Sequence, residues 1–398
     1  MSLTERNRPR LRELRVRHLE RDGVQLVRVV DPLGIGPGLH APAWFMSAAE
    51  WNVAQLLDGT RTATEISSLL TSHSSNEAFV ERTITDLSVH FLLEDDVFEG
   101  ELASQLDHFR TQPHRNLVGS GREYTSDNID LRIQLGGIVA DDWDMPEIPQ
   151  LHGLLLPAAG FGPAGRLYAR GYGALRHQTS SVDRIVLLGT SPANLGRLLV
   201  PLTISSKSAF GISKLDTNGL RALAIIPGRD EIAHRDALVL ERHQLFTTLL
   251  APEVPVLPIL VGQLGDINNL DAQATADRAV EALLRIMALP GRTLLIAACD
   301  LARLVHDDDG LGSRELRTHD AELSDFATRL KPEEYWEACH APKQPNLSRE
   351  PAAAYLLLRA LKAVAKKKPT LRGAVAGYQQ MRRETYLTSA AAITFFEE

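Results

Sequence analysis

Six predominantly apolar runs, at residues 152–156, 184–188, 222–226, 255–261, 293–298 and 390–396, constrain this chain more than any other feature. A strand with one wet face alternates apolar and polar side chains, whereas an unbroken run of this length suits a strand covered on both faces. Helical segments lie between the runs, so helices are available to do the covering. The expected fold is therefore α/β, an α/β/α sandwich with a central mixed sheet. In an open sheet of this kind ligands collect at the carboxyl ends of the strands. That directs attention to three loops: Pro157-Ala158-Ala159-Gly160, Gly189-Thr190-Ser191-Pro192-Ala193 and Cys299-Asp300-Leu301-Ala302-Arg303.

The residues ahead of these runs read differently. Val-Gln-Leu-Val-Arg-Val-Val at 24–30 is β-branched and ends at Asp31-Pro32, before Gly34, Gly36, Pro37 and Gly38, a pattern that predicts a hairpin. Ser47 stands three residues before Glu50, and Thr62 three before Glu65. At that spacing the hydroxyl caps a helical N–H while the carboxylate reaches back. Trp51, Ala54, Leu56 and Leu57 follow the first cap at helical steps; Ile66, Leu69 and Leu70 follow the second. Asn76 or Glu77 opens a third helix carrying Phe79, Ile84, Leu87 and Phe91, which Glu94, Asp95 and Asp96 close. A small β element with three short helices makes a winged-helix-like α+β domain over residues 1–104. The second domain, linker included, is expected over 105–398, because turn residues from Pro113 to Asn128 and an acidic stretch at 141–144 separate the two regions.

Composition sets the boundaries of function. With 44% hydrophobic and 23% charged residues, the 398-residue chain suits ordinary globular domains. A formal charge of −7 leaves no global positive field for a nucleic-acid backbone, so no nucleic-acid partner is expected. Six arginines between residues 6 and 17 read as a frayed, solvated basic arm. No uncharged stretch approaches the roughly 20 residues that span a bilayer, and no signal-type apolar run follows the arginines. Two cysteines, Cys299 and Cys339, are too few for a disulfide framework and point to a reducing, cytoplasmic setting. Pro37 is at odds with a dinucleotide-binding turn at Gly34-Ile35-Gly36-Pro37-Gly38, and Asp307-Asp308-Asp309-Gly310 lacks the spaced ligands of a calcium loop. No cofactor is expected at either. His234, His306, His319 and His340 stand among charged residues and read as surface histidines.

Two resemblances add to this. The strand ending in Asp31-Pro32, then Leu56-Leu57-Asp58-Gly59-Thr60-Arg61-Thr62, Glu65-Ile66 and a Phe-Leu-Leu step at 91–93 resemble the PqqD-like family over residues 12–97. Such domains are peptide- and protein-recognition adaptors attached to radical-enzyme and modification systems. From about residue 114 onward the chain resembles the Memo family, whose bacterial members include component B of the AmmeMemoRadiSam systems. The stations that carry this are Gly119-Ser120 with Tyr124, Pro157-Ala158-Ala159-Gly160-Phe161, Leu188-Gly189-Thr190-Ser191, Leu257-Pro258-Ile259-Leu260-Val261-Gly262 and Ser389-Ala390-Ala391-Ala392-Ile393-Thr394-Phe395.

The Memo resemblance implies a fold similar to the class III extradiol dioxygenases and a histidine cluster with a cysteine that can hold a metal ion. This chain departs from that pattern at the histidines. Ala158 stands where Pro-His-Ala-Gly has its histidine, Pro192 and Ala193 follow Leu-Gly-Thr-Ser, and Arg303 replaces the histidine after Asp300. Cys339 matches the family cysteine, and Glu241 with His243 matches a Glu-x-His pair on a helix. First-row metals need at least three imidazoles, thiolates or carboxylates converging at about 2.0–2.3 Å, and alanine and proline side chains offer no lone pair. The candidate pocket is Ala158, Ser191, Pro192, Glu241, His243, Cys299, Asp300, Arg303 and Cys339, with no metal and no cofactor. The expected function is non-catalytic recognition of a peptide or protein partner through the N-terminal domain, within a modification system. The alternative is an enzyme of altered, metal-independent chemistry in the same pocket.

Overall fold

The computed structural model describes residues 8–21, 23–36, 43–70, 76–140, 148–191, 193, 195–305, 311–340, 347–382 and 386–398. Pro37, Gly38, the acidic stretch at 141–144, Pro192 and His306 with the acidic loop behind it lie outside the described residues. The chain forms two compact units, the first built mainly from the residues up to Thr111 and the second from Gln112–Ser191 and Leu195–Glu398.

In the first unit, β1 (Arg15–Arg21), β2 (Val24–Val30) and β3 (Ala43–Ser47) make an antiparallel sheet. The hairpin partner of β2 across the Gly/Pro cluster is β3, with Leu26 opposite Ser47. Helices α1 (Ala48–Ala54), α2 (Ala63–Leu69), α3 (Glu77–Val89) and α4 (Asp96–Thr111) follow. Both capping boxes form, Ser47 with Glu50 and Thr62 with Glu65, and the Asn76 side chain caps α3. Each such cap contributes about 1 kcal/mol. Val27, Val29, Met46, Val53, Ile66, Val80 and Leu87 form the core.

Two expectations need correction here. Of the arginines read as a frayed arm, Arg6 lies outside the described residues, and Arg12 is not solvated: it is buried, donates from both Nη atoms to Asp31 at 2.9 Å, and lies 3.8 Å above the Phe98 ring. Arg15 and Arg17 belong to β1. The acidic residues at 94–96 do not close α3 but open α4, where Asp95 accepts the Phe98 N–H at 2.9 Å. A carboxylate is stabilised at a helix N-terminus, where the free N–H groups point. Residue 105, where the domains were expected to join, therefore lies inside α4.

The second unit runs β4 (Arg115–Asn116), α5 (Asn128–Ala140), β5 (Gln150–Leu156), α6 (Phe161–Arg176), β6 (Arg184–Thr190), β7 (Leu199–Pro201), β8 (Ser206–Ser208), β9 (Gly211–Ser213), α7 (Thr217–Leu223), α8 (Leu238–Leu250), β10 (Val256–Val261), α9 (Leu270–Met287), β11 (Thr293–Ala298), β12 (Ala302–Val305), α10 (Leu311–Thr328), α11 (Pro332–His340), β13 (Leu347–Ser348), α12 (Ala352–Ala365), β14 (Leu371–Arg382) and β15 (Tyr386–Glu397). The main sheet has the order β13-β12-β15-β5-β11-β6-β10-β7, with β14 paired to β15, and β4-β8-β9 form a small second sheet. β5, β11, β6 and β10 are parallel to their neighbours among themselves, while β15, β12 and β7 join antiparallel. The sheet is mixed.

Alternate residues show why both faces are apolar. Leu155, Val186, Leu188, Leu257, Leu295 and Ala297 share one core with α9 and α12. The other parity faces α6 and α8: a Cβ on Gly171 would stand 2.2 Å from Leu156, and one on Gly189 2.7 Å from Leu240. The layers are α/β/α. The apolar run at 222–226 is not a strand; it is the end of α7, broken by Ala224 at φ 55°. Leu223 turns inward while Ile226 is 76% exposed. A short apolar run carries no period of its own, so a helix end and a strand look alike in sequence.

Candidate functional site

The register of the sheet brings three strand ends together. Leu156 and Gly189 both stand opposite Ala298, so Ala158, Ser191 and Asp300, each two residues farther on, leave the sheet side by side. Asp300 Oδ1 accepts the Ala158 N–H at 3.0 Å and the Ala159 N–H at 3.2 Å. Burial pushes the Asp300 carboxyl up to about 6, with those two bonds and the Arg242 charge acting against it.

The rest of the loop is held by side chains from α6 and α8. Arg242 donates from Nη1 to the Ala158 carbonyl at 2.6 Å and pairs with Glu123, Nε to Oε2 at 2.8 Å and Nη2 to Oε1 at 2.7 Å. The Tyr168 hydroxyl lies 2.9 Å from the Ala159 carbonyl, to which it donates. His243 faces the Pro157 carbonyl at 3.0 Å through Nε2, which fixes the proton there and leaves Nδ1 to accept the Tyr172 hydroxyl at 2.8 Å. Burial pushes the His243 imidazole down to about 3, so it is neutral, and holds the Tyr168 and Tyr172 hydroxyls far above their ordinary pKa. Both ring nitrogens of His243 are committed within the protein.

Glu241 is separated from this loop. Two residues along α8 from His243, it points elsewhere and is fully buried. It accepts the Val118 N–H at 2.9 Å, the Gly119 N–H at 2.6 Å, the Tyr124 hydroxyl at 2.5 Å and Arg115 Nη2 at 3.1 Å. A Cβ on residue 119 would stand 2.7 Å from Glu241 Oε1, which is why glycine opens that station. Arg115 is also buried, and the cost of burying its charge lowers its pKa despite Glu241. His234, expected at the surface, is buried instead, with Nε2 facing the Val200 carbonyl at 2.8 Å; burial pushes it down to about 3.

The remaining candidates do not converge. Cys299 is buried among the apolar side chains between sheet and helices, and burial with the neighbouring Asp300 holds its thiol well above the ordinary range. Cys339, on α11, packs against the same core, and burial pushes its thiol up to about 12. Arg303 does not join the site: β12 starts at Ala302, pairs with β15 and leaves Arg303 exposed, its guanidinium 3.8 Å over the Tyr386 ring. The sheet continues through the segment expected to be a pocket loop, and a strand cannot fold the arginine back.

Arg242, Glu123, Tyr168 and Tyr172 were missed in the sequence. The tyrosines carried a signal, four residues apart on a helix otherwise made of glycine, alanine and arginine on much of its surface. Among the described residues no three His, Cys, Asp or Glu side chains are grouped so that they could hold a metal ion. Of the candidate donors, His243 is used at both nitrogens, and Asp300 accepts two backbone N–H groups at Oδ1. The arrangement is a clamped loop with one carboxyl that titrates near 6.

A family model described as Memo-like protein matches residues 115–392. No curated protein matches the chain. Among solved structures, the crystal structure of uncharacterized protein JW3007 from Escherichia coli K12 aligns with a TM-score of 0.33 and 11% identity, over 62% of this chain and 99% of that one. Among the described residues no helix is long and apolar enough to cross a membrane.

Proposed function

The chain belongs to the Memo-like protein family, and from that premise we propose that it is a non-catalytic member in which the old metal pocket has become a structural clamp. The observation that carries this reading is the loop at 157–160. Where the family resemblance places a histidine, Ala158 gives its N–H to Asp300 and its carbonyl to Arg242. The polar groups that could have served chemistry instead hold the backbone. The function is then recognition, with the N-terminal unit, PqqD-like and winged-helix-like in its sequence stations, taking a peptide or protein partner of a modification system in the cytoplasm.

Metal analysis of the purified full chain after incubation with zinc, ferrous iron or copper and exhaustive dialysis tests the first half. The expected result is no stoichiometric metal. One equivalent retained by the wild type and lost in Asp300→Ala or Cys339→Ala would overturn it, in favour of an enzyme of altered chemistry. For the second half, a peptide co-purifying with the full chain should be lost on deletion of residues 1–111 and kept in Asp300→Ala; the reverse outcome refutes a recognition role for the first unit.

A further inference from the structure

The sheet of the first unit leaves apolar side chains in water on its outer face. Val27, Val29 and Met46 point into the core, so by strand alternation the residues between them point away from it. The pairing register sets these outward positions in rows. Arg17 stands opposite Arg28 and Arg28 opposite Phe45, while Leu19 stands opposite Leu26 in the next row. Val24, on the same face, is 55% exposed and Phe45 54%; Arg17 is exposed as well.

The charges in these rows have one sign. Like charges directly opposite each other destabilise a sheet, yet Arg17 and Arg28 face each other across β1 and β2. Elsewhere the unit matches its cations with its own carboxylates: Arg10 with Glu94 at 3.4 Å, Arg12 with Asp31 at 2.9 Å and Arg61 with Asp58 at 2.6 Å. Among the described residues no carboxylate pairs with Arg17 or Arg28. The one acid of β1, Glu20, alternates to the opposite face and accepts from Gln25 at 2.9 Å. A partner of opposite charge would relieve the repulsion and cover the apolar rows together.

We infer that this sheet face docks an acidic segment of a partner protein, one that carries apolar side chains between its carboxylates. The inference rests on the reading that the first unit takes a peptide or protein partner, and it names the class of that partner and the surface it meets. The carboxylates engage Arg17 and Arg28, and the apolar side chains cover Leu26 and Phe45. Guanidinium groups suit both tasks, since they pair with carboxylates while their stems lie along apolar surface. A nucleic acid fits the face less well. Single strands are held by several stacked aromatics, whereas Phe45 is the one aromatic among the described outward positions of the three strands. Acidic residues also outnumber basic ones over residues 1–111, so the unit as a whole repels a polyanion. An anionic bilayer calls for a cluster of about four to eight Lys or Arg.

Fluorescence anisotropy of a labelled peptide of alternating glutamate and leucine, titrated with the full chain, tests it. Saturable binding is expected, weakened about tenfold or more between about 50 and 500 mM sodium chloride because the charges lie in water. Arg17→Gln, Arg28→Gln and Phe45→Ala should each weaken it about fivefold, about 1 kcal/mol. Arg61→Gln, which removes an arginine already paired with Asp58, should leave it unchanged. Relief of the opposed charges should keep or raise the melting temperature of Arg28→Gln, so that lost binding is not lost folding. The double variant Arg17→Glu, Arg28→Glu should take the lysine–leucine counterpart in place of the acidic peptide, an exchange that a structural role for the arginines would not produce. No saturable binding of the acidic peptide, equal binding by the double variant Arg17→Gln, Arg28→Gln, or a charge reversal that leaves the lysine peptide unbound would each overturn the inference. Tighter binding of a single-stranded oligonucleotide or of phosphatidylserine vesicles than of the peptide would overturn the partner class. A co-purifying peptide kept by the double Arg→Gln variant would overturn the assignment to this face and leave the recognition reading standing.

Discussion

Glu241→Gln should be among the most damaging single substitutions in the second unit, although it changes no more than an oxygen to an amide. The fully buried carboxylate serves four donors, one of them the buried Arg115 guanidinium. The amide keeps one oxygen acceptor, turns an NH2 toward donors and leaves Arg115 without its counter-charge. Breaking one partner of a buried pair costs about 3–5 kcal/mol. At about 2 °C per kcal/mol for a unit of this size, the transition should fall by about 6–10 °C. Differential scanning calorimetry of the full chain provides the measurement, and Arg12→Met, which breaks the buried pair with Asp31, identifies the first unit's transition by moving it instead. The double variant Arg115→Met, Glu241→Gln should cost less than the two single changes added, because the uncompensated cation is gone. A loss under about 1 kcal/mol for Glu241→Gln, or strict additivity, would refute the account of this network.

Asp300 gives a pH signature of defined sign. Its folded value near 6 lies above the unfolded one, so its contribution to stability is whole below about pH 4 and is lost as pH rises through 6. Asp300→Asn keeps an acceptor for the Ala158 N–H and should raise the melting temperature at pH 8 by the equivalent of about 2–3 kcal/mol, with little change at pH 4; an equal shift at both would sink the idea. His234 and His243 act in the opposite sense, with values depressed to about 3, so their contribution is whole above 6.5 and declines as pH falls toward 3. Nitrogen chemical shifts should show both imidazoles neutral at pH 5, and protonation of either in the folded chain above pH 6 contradicts that. Both thiols should resist alkylation in the native protein at pH 8 and react on unfolding; rapid native labelling of Cys339 would show that its thiol is not held up as described.

Five of the six apolar runs became central strands because unbroken apolar character is a property of burial on both faces, and that is local. The run at 222–226 failed for the same reason, since a helix end facing α9 is apolar without being a strand. β14 escaped notice because, at the edge of the sheet, its polar side chains interrupt the pattern. In the site, Ala158 and Asp300 were legible from their place after strands. Arg303 was not, because nothing in Cys299–Arg303 tells that the chain re-enters the sheet at Ala302. Glu241 and His243 looked like a pair, yet two residues of α8 turn them toward different partners, Gly119 and Pro157. Arg12 looked like one of a solvated series until Asp31, nineteen residues away, claimed it.

β15 is a seam: its first residues pair with β12 and its last with β5, while β14 covers its other edge along nearly its whole length. Leu155 thus waits for Ile393 before its strand has a neighbour on that side. On the ribosome, β5 and its apolar flanks emerge long before that partner does. An unsatisfied strand edge of this kind is a template for intermolecular pairing, and closing so distant a contact is slow. The nascent chain therefore passes through a prolonged interval of aggregation risk, and its yield in cells should depend on chaperones that shield β5 until translation reaches the closing strand.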